Sequence, residues 1–117
     1  MSEGLTNVDR VGRIIYSDNK SSVDVEDRLL AHLQVAVTTK LRRGESFTIT
    51  FPHTAAGHLC WWIAPGVPVM FHMFGTHRPR LSRALLERLM TEASGPDGLH
   101  LAETYDELLD EAHQHNP

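Results

Sequence analysis

The chain has 117 residues, 41% hydrophobic and 22% charged, with a formal net charge of −4. That is the usage of one ordinary globular domain, long enough to bury a core unaided. A single cysteine, Cys60, excludes an internal disulfide framework and a thiolate-based metal cluster.

The N-terminal residues lack the basic stretch and apolar run of a secretory signal, and no segment approaches the roughly 18 apolar residues of a membrane span. The expected compartment is the cytoplasm, with no membrane contact. The net charge conceals a separation. Residues 28–88 hold eight Lys/Arg against two Asp/Glu, whereas residues 89–117 hold seven acids and no Lys or Arg. A basic middle and an acidic tail imply either a binding face or an internal pairing of the two.

Residues 1–10 are polar and aperiodic and are expected to form a flexible arm. Val11 to Tyr16 and the alternating Val23-Asp24-Val25 read as a hairpin around the turn cluster Ser17–Ser22. Asp27 to Arg43 reads as a helix. Leu29, Leu30, Leu33, Ala36, Val37 and Leu41 share one arc, acids stand at its start and bases at its end, and Gly44 is placed to close it. Ser46 to Phe51 alternates, Leu59 to Ala64 is apolar, and Val69 to Phe74 follows the turn Pro65-Gly66-Val67-Pro68. Short links make an antiparallel meander of these three the economical topology. Ser82 is placed to cap a second helix with the stripe Leu85, Leu86, Leu89, Met90 and Ala93. Leu99-His100-Leu101 reads as a short strand. Thr104 with Glu107 forms the pattern of a capping box before a third, short helix.

The order ββαβββα, plus this extension, predicts an α+β fold. Its form is a two-layer sandwich with a mainly antiparallel sheet, helices on one face and a short C-terminal helix. The organisation is an arm over 1–10, an α+β domain over 11–102, and an acidic helix and tail over 103–117.

Several strings resemble small actinobacterial proteins of unknown function: Gly12-Arg13-Ile14-Ile15-Tyr16, Glu26 through Leu33, Lys40 through Phe47, Trp62-Ile63-Ala64-Pro65, Arg78-Pro79 and Gly98-Leu99-His100-Leu101. The resemblance spans about residues 11–102. Members of that family are often labelled as related to ATP-dependent DNA ligases, which implies an association with DNA metabolism. It brings no catalytic residues. The lysyl nucleophile of a ligase needs a Lys-x-Asp-Gly setting. The two lysines here stand in Lys20-Ser21-Ser22-Val23 and Lys40-Leu41-Arg42-Arg43-Gly44, and neither fits. The chain is not expected to act as a ligase by itself.

The chain carries eight histidines, but they are scattered, with no His-Glu-x-x-His pair. His53 and His58 flank one loop and read as incidental. His32 lies at the edge of the first helix's apolar arc, and His72 shares a strand face with Met70 and Phe74; both read as packing residues. Cys60 lies in an apolar strand and is expected to be buried. No Gly-x-Ser-x-Gly elbow or Gly-rich phosphate loop is present. The expectation is therefore no enzyme, no cofactor and no metal.

A contact surface is the stronger reading. Lys40, Arg42 and Arg43 end the first helix, and Arg78, Arg80 and Arg83 lead into the second. Adjacent Trp61 and Trp62 must point to opposite sides of a strand, so one is outward. These eight residues form the candidate binding surface. They suit a non-enzymatic protein-binding or regulatory module, forming a homodimer through a sheet edge or the outward tryptophan. The alternative is a nucleic-acid-binding accessory protein. The acidic tail is expected to fold back on the basic middle and to shield Arg42, Arg43, Arg80 or Arg83.

Overall fold

A computed structural model describes residues 11–18, 21–52, 57, 59–75 and 79–114, the side chains of 102, 103 and 114 excepted. The expected arm, the His53 and His58 positions, Arg78 and the last three residues lie outside the described residues. The elements run β1 (Val11–Tyr16), β2 (Ser21–Glu26), α1 (Asp27–Arg42), β3 (Phe47–Phe51), β4 (Leu59–Ile63), β5 (Val69–His72), α2 (Arg83–Ala93), β6 (Leu99–His100) and α3 (Leu101–Gln114). This is the expected α+β class and element order.

The strands form two three-stranded sheets, ordered β2-β1-β5 and β4-β3-β6. The expected β3-β4-β5 meander is replaced. β3 and β4 do form an antiparallel pair, but β5 crosses to β1, with Ile14 opposite Phe71 and Tyr16 opposite Val69. Pro65 and Pro68 bracket the link. Each lacks the N–H that a tight β4-β5 ladder would use, and the Pro68 carbonyl accepts from Ser17 N beside β1 instead, at 2.8 Å. Among the described residues the one parallel pairing is β3 with β6, reached through α2.

One core joins both sheets and the helices. Ile14 and Val25 from the first sheet, Ile49, Phe51 and Ile63 from the second, Leu29, Leu30 and Leu33 of α1, and Leu85 and Leu89 of α2 are buried in it. α1 lies so close to β1 that a Cβ at Gly12 would stand 2.6 Å from Leu30 Cδ2.

Helix ends explain the placement of the charges. The Glu26 carboxylate caps α1, accepting from Arg28 N and Leu29 N. At the other end Gly44, at φ +75, lets Gly44 N reach Leu41 O and Glu45 N reach Lys40 O, a Schellman closure. Ser82 caps α2 through Leu85 N, as its sequence position predicts. Thr104 does not cap α3. The helix begins at Leu101, directly after β6, and the Thr104 hydroxyl donates back to the His100 carbonyl at 3.3 Å. The parallel pairing with β3 fixes β6 and leaves no room for a separate turn before the helix.

Candidate functional site

Seven of the eight candidate residues are described, and they divide into buried and exposed sets. Trp61 is 5% exposed, stacks on Tyr16 at 4.8 Å and meets Phe51 edge-on at 4.8 Å. It belongs to the core and leaves the candidate surface. Trp62 is 56% exposed and is the outward tryptophan. Arg42, Arg43, Arg80 and Arg83 are exposed.

Lys40 is 4% exposed, a correction to its expected place on a basic surface. Its stem follows the apolar arc of α1. Its ammonium donates to Ser94 Oγ at 2.8 Å and pairs with Glu45 Oε1 at 2.8 Å. That hydrogen bond and the Lys40 charge, with Arg43 assisting, hold the Glu45 carboxyl below its ordinary value. Ser94 in turn donates to the Met90 carbonyl at 3.1 Å. Its proton is committed, and an ammonium that donates to Ser94 and pairs with Glu45 offers no lone pair to take it. Lys40 and Ser94 thus tie α1 to α2; they are not arranged as a nucleophile and its base.

Lys40 and Trp62 nevertheless meet at one cavity of about 540 Å³, whose walls include Glu45, Thr48 and Ser94. A second depression of about 630 Å³ adjoins it through Ser94 and is lined by Arg43, Arg83, Leu86 and Met90 among others. The structure therefore pairs the candidates as Lys40 with Trp62 and as Arg43 with Arg83. Sequence spacing does not reveal either pairing, because α1 meets α2 and the β3-β4 pair only in the fold.

The acidic tail is docked, but not on the expected arginines. Arg88 receives Glu107 at 2.9 Å and Glu111 at 2.7 Å from α3, and Glu92 at 2.9 Å from its own helix. The bonds to Glu107 and Glu92, then Glu111, raise the guanidinium's affinity for its proton. Farther along, His113 Nε2 lies 3.0 Å from Glu26 Oε2, and the Tyr105 hydroxyl accepts from Glu26 N at 3.2 Å. Burial pushes the Tyr105 hydroxyl above its ordinary pKa. α3 is thereby fixed to α2 at one side and to the start of α1 at the other, and Arg42, Arg43, Arg80 and Arg83 remain uncovered by its described residues.

Other histidines and the cysteine also have defined places. His32 is fully buried rather than at an edge. Its Nε2 accepts from Ser82 N at 2.8 Å, so Nδ1 carries the proton and donates to the Arg28 carbonyl at 2.6 Å. It joins α1 to the cap of α2. Cys60 is exposed, contrary to expectation: it alternates with buried Trp61 and shares the outward face of β4 with Trp62. Among the described residues no group of three or more His, Cys, Asp or Glu is arranged to hold a metal ion, and no helix is long and apolar enough to cross a membrane.

A feature missed in the sequence lies on the first sheet. Met70 is 56% exposed, Phe74 51% and Val11 44%; Met70 lies opposite Ile15 of β1, and the same face carries the exposed Arg13, opposite His72 and paired with Asp24. His72 lies among them, its ring 4.0 Å from that of Phe74. The signal was present as Met70 and Phe74, flanking His72, alternating with Val69, Phe71 and Met73, so that both faces of the strand carry large apolar side chains.

The fold is a small α+β domain with exposed apolar side chains on the first sheet and a depression lined by Arg43 and Arg83. The chain belongs to the family described as Domain of unknown function (DUF7882), whose model matches residues 11–104. No curated protein and no solved structure matches the chain.

Proposed function

We propose that the protein is a cytoplasmic, non-enzymatic binding module that self-associates through the open edge of β5 and the apolar face beside it. The carrying observation is the composition of that edge. β5 is Val-Met-Phe-His, and among the described residues it is hydrogen-bonded to β1 alone. The other edges are blunted. The Glu26 N–H on β2 is taken by Tyr105, the Trp62 carbonyl on β4 by the Tyr16 hydroxyl at 2.6 Å, and β6 has two residues. An apolar edge strand without lysine, internal proline or bulge is a template for strand addition. A second copy of β5, antiparallel across a two-fold axis, would continue the sheet to six strands and bring Met70 and Phe74 of the two copies together.

Sedimentation equilibrium of the full chain tests this. The wild type should be a dimer and Met70→Glu a monomer with unchanged helix content. A monomeric wild type over the whole accessible concentration range would refute the proposal.

Nucleic-acid binding by Arg42, Arg43, Arg80 and Arg83 is the second reading, supported by their common exposure beyond the reach of the docked acids. It requires affinity for single-stranded DNA that falls log-linearly with salt.

A further inference from the structure

We propose that the outward stripe of α2, together with Arg43, is a docking groove for an acidic amphipathic helix of a partner protein. The inference is independent of self-association through β5.

α2 presents three stripes. Leu85, Leu89 and Ala93 are buried in the core. Arg88 and Glu92 face α3 and its carboxylates. The remaining stripe runs Arg83, Leu86, Glu87, Met90 and Ser94, the three- and four-residue spacing of one helix face, and lines the groove of about 630 Å³. Arg43, at the end of α1, lines the same groove and supplies a second cation. Two exposed arginines thus share this lining with the half-buried apolar side chains of Leu86 and Met90.

The molecule already contains the complementary mode of binding. α3 places Glu107 and Glu111, one turn apart, on Arg88, while Leu108 and Ala112 enter the core. An acidic helix in trans would repeat that arrangement one stripe over, with its apolar side chains on Leu86 and Met90 and its acids at Arg43 and Arg83. The apolar part of the lining distinguishes this occupant from a phosphate backbone, which would leave Leu86 and Met90 facing charge. Glu87 disfavours an acid at the middle of the groove, so the partner's acids belong at its ends.

The test is fluorescence anisotropy with the full chain and a labelled helical peptide of about 14 residues, four turns long, bearing Leu on one stripe and Glu on its flanks. A second peptide replaces every Glu by Gln, and a third probe is an oligo-deoxythymidylate. The Glu peptide should bind, and the Gln peptide should bind at least about tenfold more weakly. The double variant Arg43→Glu, Arg83→Glu should lose affinity to the same degree. The variant Arg42→Glu, Arg80→Glu, with the same charge change outside the groove, should lose less than about threefold. All four arginines are exposed, so thermal unfolding will report each variant folded. Equal losses in the two double variants would reduce the effect to bulk charge and overturn the proposal. So would absence of peptide binding, indifference to Glu→Gln, or tighter binding of the oligonucleotide at the same two arginines.

Discussion

Lys40 Nζ and Ser94 Oγ, 54 residues apart in sequence, meet at 2.8 Å where the end of α1 touches the end of α2. This converts a lysine on an apolar arc into a buried tie between helices. Lys40→Met keeps the stem and removes the bond, so it should cost about 1 kcal/mol. Lys40→Ala also removes the packed stem and should cost about 2–4 kcal/mol. Urea unfolding of the two variants measures the difference; equal midpoints for both and the wild type would contradict the buried tie.

The partner of that lysine sets a pH dependence. Glu45's carboxyl is lowered first by the hydrogen bond from Lys40 and further by the charges of Lys40 and Arg43, against an opposing push from burial. A folded-state pKa below the unfolded one means the carboxylate form favours the folded state. The contribution is complete above the ordinary value of 4.5 and is lost as pH falls through the depressed value. The stability gap between wild type and Glu45→Gln should therefore be present at neutral pH and close in acid. A gap unchanged across that window would remove the pair from the stability of the fold.

Periodicity made α1, α2 and the β1-β2 hairpin legible in the sequence, because each has one buried stripe or face and a recognisable end. The partner of β5 was not legible. Strand pairing is a contact between distant segments, and a short link favours a neighbour without requiring it. Lys40, Arg43, Arg83 and Trp62 were legible as candidates by residue type, but their grouping depends on how α1 packs against α2 and beside β4. Thr104 shows the converse limit: a capping pattern carries no weight where a strand runs straight into the helix.

The two adjacent tryptophans should separate cleanly. Trp61, buried between Tyr16 and Phe51, should cost about 3–5 kcal/mol when replaced by Ala. Trp62→Ala, at a side chain more than half exposed, should cost less than about 1 kcal/mol. Chemical denaturation followed by far-UV circular dichroism gives both numbers. Large, equal losses would show that the outward face of β4 is covered.

Arg88 holds α3 to α2 through two carboxylates of α3, and its own side chain is 28% exposed. Solvent and salt weaken such a cluster, so Arg88→Ala should cost about 1–2 kcal/mol at low ionic strength and less at high salt. The loss should be local: amide exchange should accelerate in Leu101–Gln114 while β1 and β3 stay protected. Uniform acceleration across all elements would show that α3 does not open separately.

The open edge of β5 is tested most directly by amide hydrogen exchange at Val69–His72 as a function of protein concentration. Amides bonded to β1 should be protected at every concentration. Those pointing away from β1 should exchange quickly in dilute protein and become protected as concentration rises, with Met70→Glu abolishing the change. Outward amides of β5 that exchange equally fast across the whole range, while their neighbours bonded to β1 stay protected, would contradict pairing through this edge.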